Sequence, residues 1–106
     1  MKNAKQELLH ILKDTRLVKC ATIHKLNIYK DDKNNESKVL KLNYTEDDYN
    51  EFLNKLDFEY NEDYGTQILY GIVWLEDNTW LLREEYDGSE WWKHITIPEI
   101  PVECYI

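Results

Sequence analysis

Thr79-Trp80-Leu81-Leu82-Arg83-Glu84-Glu85-Tyr86-Asp87-Gly88-Ser89-Glu90-Trp91-Trp92 decides how this chain folds. Asp-Gly between two strand-forming runs predicts a two-residue hairpin, because a type I′ turn needs positive φ at both central residues. Trp80–Tyr86 and Glu90–Ile97 then become antiparallel neighbours. The turn sets the register: Tyr86 opposes Ser89, Glu85 opposes Glu90, Glu84 opposes Trp91, Arg83 opposes Trp92, Leu82 opposes Lys93, Leu81 opposes His94, and Trp80 opposes Ile95. Side chains alternate between the two faces of a strand. One face therefore holds Trp80, Leu82, Glu84, Tyr86, Trp91, Lys93, Ile95 and Ile97; being mostly apolar, it is expected to pack on the helices. The other holds Leu81, Arg83, Glu85, Glu90, Trp92, His94 and Thr96. Arg83 beside Trp92 permits a cation–π contact. The like-charged pair of Glu85 and Glu90 calls for a cation, from Arg83, His94 or a partner.

Upstream, Gln67–Leu75 reads as a strand and Glu76–Thr79 as a turn. A two-residue turn at Asp77-Asn78 pairs Trp74 with Leu81, Ile72 with Arg83 and Tyr70 with Glu85, adding Tyr70, Ile72 and Trp74 to the second face. That much aromatic area marks a contact surface if it is exposed. The alternatives are a longer or bulged loop at Asp77-Asn78, or a C-terminal tail that covers the face.

Further out, Asn3 caps a helix over about residues 4–14, with Gln6 three positions on and a stripe of Ala4, Leu8, Leu9, Ile11 and Leu12. Leu17–Tyr29 is a strand, Lys30–Lys38 an exposed hairpin loop, and Val39–Tyr44 a returning strand with Leu40, Leu42 and Tyr44 on one face. Thr45 caps a second helix, about 45–56, with acids Glu46, Asp47 and Asp48 in its first turn and Tyr49, Phe52, Leu53 and Leu56 on its apolar face. Asp57–Gly65 alternates acid and aromatic and reads as a loop or an edge segment. Pro98 and Pro101 impose an extended exit. The result is an α+β fold: an antiparallel sheet of about five strands, order αββαβββ, with two helices packed on one face. Residues 1–106 read as a single domain.

The net charge of −8 is unevenly spread. Residues 1–44 carry ten Lys/Arg against five Asp/Glu, residues 45–64 one against eight, and residues 65–106 two against eight. Thirteen of the fourteen aromatic residues lie at or after position 44. An acidic, aromatic majority opposes direct nucleic-acid binding, which rests on Lys and Arg at phosphates, and favours a basic protein partner. No apolar run approaches the roughly 20 residues of a membrane span, and residues 1–7 lack the apolar core of a signal peptide; a cytoplasmic protein with free Cys20 and Cys104 is the expectation.

Chemistry leaves few marks. His10, His24 and His94 fall on different elements without metal-ligand spacing, no glycine-rich phosphate loop is present, and neither serine sits in a nucleophile elbow. Glu85, Arg83 and His94 can share one sheet face, as base, phosphate clamp and acid do in small microbial ribonucleases, but the acidic balance of residues 45–106 would repel RNA. No catalytic residue, metal or cofactor is assigned.

Gly71 and Trp74, Asp77 and Trp80, the run Arg83, Glu85, Tyr86, Asp87, Gly88, Ser89, Glu90, Trp91 and Trp92, and finally Pro98 and Pro101 form a pattern. It resembles the closing segment of a group of small bacteriophage and prophage proteins with no assigned activity. It covers about residues 65–101 and implies a phage origin, with no reaction attached. The function expected is thus that of a non-enzymatic phage-encoded binding protein. Its target would be a host or anti-phage defence factor, such as a CRISPR effector or another nuclease. The candidate contact residues are Tyr70, Trp74, Arg83, Glu85, Glu90 and Trp92, with the acids Glu46, Asp47, Asp48, Glu62 and Asp63. Two alternatives stand beside it. One is a nucleotide-binding module or sponge, with Arg83 and basic residues of the first strand pair holding phosphate and the Pro98–Ile106 tail building a homo-oligomer. The other is an acidic immunity protein against a toxic nuclease.

Overall fold

The computed structural model describes residues 1–13, 16–26, 36–61 and 66–105. In chain order the elements are β1 (Lys2–Asn3), α1 (Ala4–Leu12), β2 (Val18–Lys25), β3 (Glu36–Leu40), α2 (Glu46–Lys55), β4 (Glu59–Tyr60), β5 (Leu69–Leu75), β6 (Trp80–Tyr86) and β7 (Ser89–Ile95), with a 3-10 turn at Val102–Tyr105. The main sheet is antiparallel with strand order β3-β2-β5-β6-β7, and β1 pairs with β4 in a separate two-stranded ribbon. The α+β reading holds.

Local chemistry explains the element ends. The Asn3 side chain accepts from the Gln6 N–H at 3.0 Å and starts α1. Thr45 and Asp48 form a reciprocal capping box at α2, each side chain accepting the other's backbone N–H at 3.1 Å. Asp87 and Gly88 take φ of 52° and 88°, as a type I′ turn requires. All seven expected pairs between β6 and β7 form, from Trp80 with Ile95 to Tyr86 with Ser89.

The returning strand is displaced from its expected place. β3 runs Glu36–Leu40, and the chain turns away at Asn43, whose φ is 62°. Leu42 is consequently exposed, while Tyr44 is half-buried, stacks on Tyr49 at 5.6 Å and donates its hydroxyl to the Val18 carbonyl. Residues 30–35 of the expected loop lie outside the described residues. The Asp57–Gly65 segment supplies β4, an edge ribbon rather than a plain loop.

The larger correction concerns the faces. β5 and β6 are joined by a longer loop than a two-residue turn: Trp74 pairs with Trp80, Val73 with Leu81 and Ile72 with Leu82. The Leu75 N–H reaches the Thr79 carbonyl at 2.9 Å, and Asn78 takes the left-handed φ of 67° that a three-residue hairpin loop needs. Relative to a two-residue turn this is a slip of one residue, and a one-residue slip exchanges the faces of a strand. Leu69, Val73 and Leu75 therefore share a face with Leu81, Arg83, Glu90 and Trp92, and that face meets Leu8 and Leu12 of α1 and Phe52, Leu53 and Leu56 at α2 in one core. The expectation that Trp80, Leu82 and Trp91 pack on the helices is overturned. They lie on the opposite side of the sheet, with Tyr70, Ile72 and Trp74.

Candidate functional site

Arg83 lies in the core beneath α1, and its side chain has no exposed surface. Three acceptors surround it. Nη1 donates to Glu7 Oε1 at 2.6 Å, Nη2 donates to Glu90 Oε1 at 2.8 Å and to the Tyr60 hydroxyl at 2.7 Å, and Nε donates to Glu90 Oε1 at 3.2 Å. The Tyr60 hydroxyl in turn donates its hydrogen bond to Glu7, at 2.7 and 2.8 Å from the two oxygens. The Trp92 ring centroid lies 5.2 Å from the guanidinium carbon. Glu90 is fully buried as well, and its carboxylate accepts the backbone N–H groups of Ile68 at 2.7 Å and Leu69 at 2.9 Å. Those donors stand at the start of β5, ahead of Ile72–Trp74, the residues that pair with β6. One carboxylate from β7 thus closes the open end of the sheet, and Arg83 neutralises it.

Arg83, Glu90 and Trp92 were expected on a contact surface. They are instead the polar centre of the core, for the register reason given above. The cation expected to relieve the Glu85–Glu90 pair is Arg83, 2.8 Å from Glu90. Burial works against its charge, but Glu7 and Glu90 outweigh that and hold its pKa above the ordinary arginine value. Glu7 and Tyr60 were missed in the sequence. Glu7 stands three residues after Ala4 and four before Ile11, an acid on the buried stripe of α1, and that placement was a readable signal.

Burial, followed by the bond to Glu7, raises the Tyr60 hydroxyl well above the usual tyrosine pKa. The proton is lost more easily from the unfolded chain than from the folded one. The stabilisation is therefore whole below about pH 10 and is lost as pH climbs toward the raised folded value. Melting curves should show stability falling above about pH 10, and Tyr60→Phe should flatten that fall. Tyr44 and Tyr49, also raised by burial, will keep part of it. An unchanged alkaline slope in Tyr60→Phe would show that this hydroxyl is not linked to folding.

The other side of the sheet is open. Tyr70 is 41% exposed, Trp74 38% and Trp91 38%, with Trp80, Ile72 and Leu82 half-buried between them. Residues 96–105, including Ile97, Ile100, Val102 and Tyr105, are exposed along their whole length, so the tail does not cover this face. Lys93 pairs with Glu84 at 3.7 Å, leaving the middle of the face close to neutral. At its ends and in the tail stand the exposed acids Glu76, Asp77, Glu85, Asp87, Glu99 and Glu103.

The expected site residues thus divide. Tyr70 and Trp74 are on the open face, and Glu85 is exposed beside the hairpin turn. Glu46, Asp47 and Asp48 occupy the first turn of α2, whose buried residues pack on the opposite side of the sheet. Glu62 and Asp63 lie outside the described residues. Arg83, Glu85 and His94 do not assemble as the ribonuclease pattern requires. Arg83 is committed to Glu7, Glu90 and Tyr60. His94 Nε2 sits 2.8 Å from the Thr79 hydroxyl; that hydroxyl donates its hydrogen bond to Asp77, so His94 Nε2–H is the donor to Thr79. The bonds from Thr79 hold the Asp77 carboxyl below its usual pKa.

Among the described residues no group of three or more His, Cys, Asp and Glu is placed to hold a metal ion, and no helix is long and apolar enough to cross a membrane. Comparison with known protein families, with curated proteins and with solved structures finds no match to this chain.

Proposed function

We propose that this chain is a non-enzymatic binding protein that engages a basic protein through the open face of its sheet. The observation that carries the reading is the uncovered cluster of Tyr70, Trp74 and Trp91 around Trp80 and Leu82, with exposed acids at its margins. Aromatic centres with polar rims are the usual anatomy of contact surfaces, and Trp and Tyr are enriched among the residues that dominate binding energy. The acids favour encounter with a positively charged partner and repel nucleic acid. A nucleic-acid-binding protein has the required charge. Together with the resemblance of residues 65–101 to phage proteins, this supports a role as a phage-encoded inhibitor of a host or defence nuclease.

Affinity capture from bacterial lysate, comparing the parent chain with a Tyr70→Glu, Trp74→Glu variant, tests the reading. Both positions are solvent-facing, so the variant should keep its circular dichroism spectrum and melting behaviour. The parent chain should retain a basic protein that the variant loses, since removing a central aromatic typically costs about 2 kcal/mol or more of binding energy. Identical captured proteins from the two chains would sink the proposal.

A further inference from the structure

After β7 the chain leaves the sheet as an arm, Ile97-Pro98-Glu99-Ile100-Pro101-Val102-Glu103-Cys104-Tyr105. Proline fixes φ and removes an N–H donor, so Pro98 and Pro101 keep the arm extended and out of the sheet ladder. Its short 3-10 turn, Val102–Tyr105, is closed within the arm, the Cys104 N–H donating to the Pro101 carbonyl at 2.9 Å. Ile97, Ile100, Val102 and Tyr105 stand 66%, 56%, 67% and 73% exposed. Single exposed apolar side chains are ordinary, but several within one short segment form a patch of the kind that marks a contact.

The same chain carries a second uncovered surface of matching chemistry, the sheet face of Tyr70, Trp74, Trp80 and Trp91. The arm leaves from the border of that face, where Ile95 pairs with Trp80. To cover its own face it would have to reverse direction within Thr96–Ile97, ahead of Pro98, and residues 96–105 are exposed instead. A second copy meets no such constraint. Pro-x-x-Pro segments dock on aromatic-lined surfaces because their extended form is already ordered and little entropy is lost on binding. Pro98-Glu99-Ile100-Pro101 has that spacing. The acids of the arm, Glu99 and Glu103, have counterparts in Lys19 and Lys41, exposed on β2 and just past β3.

We infer that the free protein is a reciprocal dimer, the arm of each copy lying across the open sheet face of the other. Exchange of identical segments closes a two-fold pair in which the same contact is made twice. An extended arm of this length buries on the order of 1,000 Å² counted over both partners, so the two contacts reach on the order of 2,000 Å², enough for a specific interface of roughly 1,200–2,000 Å². The inference rests on the reading of that face as a contact surface and adds its regulation. A target protein must displace the arms, so by mass action its binding weakens as the chain becomes more concentrated.

Analytical ultracentrifugation of the whole chain provides the test. The parent should pass reversibly from 12.9 kDa to twice that mass, with a Kd on the order of 1–100 μM. Its tryptophan emission should shift to the blue over the same range of concentration. Ile100→Glu with Tyr105→Glu changes only exposed arm positions, and Trp74→Glu only the face, so both chains should keep the parent's circular dichroism spectrum. Each should dimerise at least about tenfold more weakly than the parent. Mixed together, the two should associate one-to-one more tightly than either does with itself, since the intact arm of one fits the intact face of the other. Four results would each overturn the inference: a parent still monomeric at about 1 mM, a dimer that survives the arm substitutions, an assembly larger than two, or no association of the mixed variants. The partner reading is judged separately, by lysate capture with the arm variant, whose face is free. A basic protein captured by a chain whose parent is monomeric sinks this inference and leaves that reading standing; a dimeric parent whose arm variant captures nothing does the reverse.

Discussion

Replacing Arg83 with Met should destabilise the chain by about 3–5 kcal/mol, the usual result of removing one partner from a buried ion cluster. Urea or thermal melts will read this directly. The magnitude follows from what remains behind: the carboxylate of Glu90 fully buried, and that of Glu7 largely so, with their shared cation gone. Simple buried ion pairs are often replaceable by apolar residues without loss. That remedy should fail here. The Glu90 carboxylate also accepts the Ile68 and Leu69 N–H groups, and an apolar residue at 90 leaves both without an acceptor, at about 1–3 kcal/mol each. A double variant, Arg83→Met with Glu90→Met, should therefore remain well below the parent chain in stability. Recovery to the parent value would show that Glu90 does not hold the start of β5.

The second large effect is expected at Gly71. This residue pairs with Ile23 of β2 and has a φ of 145°, which L side chains rarely adopt. A Cβ there would lie 2.2 Å from the Thr22 carbonyl oxygen and 2.9 Å from the Ile23 Cα. Both are backbone atoms of the neighbouring strand, so no side chain can rotate away. Gly71→Ala should cost about 2–5 kcal/mol, combining backbone strain with overpacking between β2 and β5. Amide exchange should quicken first along that strand pair. A melting temperature equal to the parent's would mean the two strands separate freely at this point.

Much of the architecture was legible because its signals are local. Asp87-Gly88 sets a turn through the φ values of two adjacent residues, and the seven pairs of β6 with β7 follow by counting. Asn3 and Thr45 start helices through bonds three residues long. The end of β3 was not legible: asparagine tolerates a positive φ, but nothing local in the sequence singles out Asn43 from the chain's other asparagines as the one that ends a strand. Gly71 was visible as a glycine inside a strand, but the close approach of Thr22 depends on which strand becomes its neighbour.

The candidate site shows the same division. Composition and spacing established the fold class, the acidic balance and the tryptophan-rich hairpin, because each rests on residues near one another in the chain. Tertiary structure settled which tryptophans are presented. One residue more in the loop at Glu76–Asn78 reverses the parity between β5 and β6, and Arg83, Glu90 and Trp92 turn inward while Trp74, Trp80 and Trp91 turn outward. Burying an arginine and a glutamate was then feasible only because Glu7 and Tyr60, 76 and 23 residues from Arg83, arrive to complete their hydrogen bonds. Pattern along a strand defines two faces; the partners that converge from distant segments select which one becomes the core.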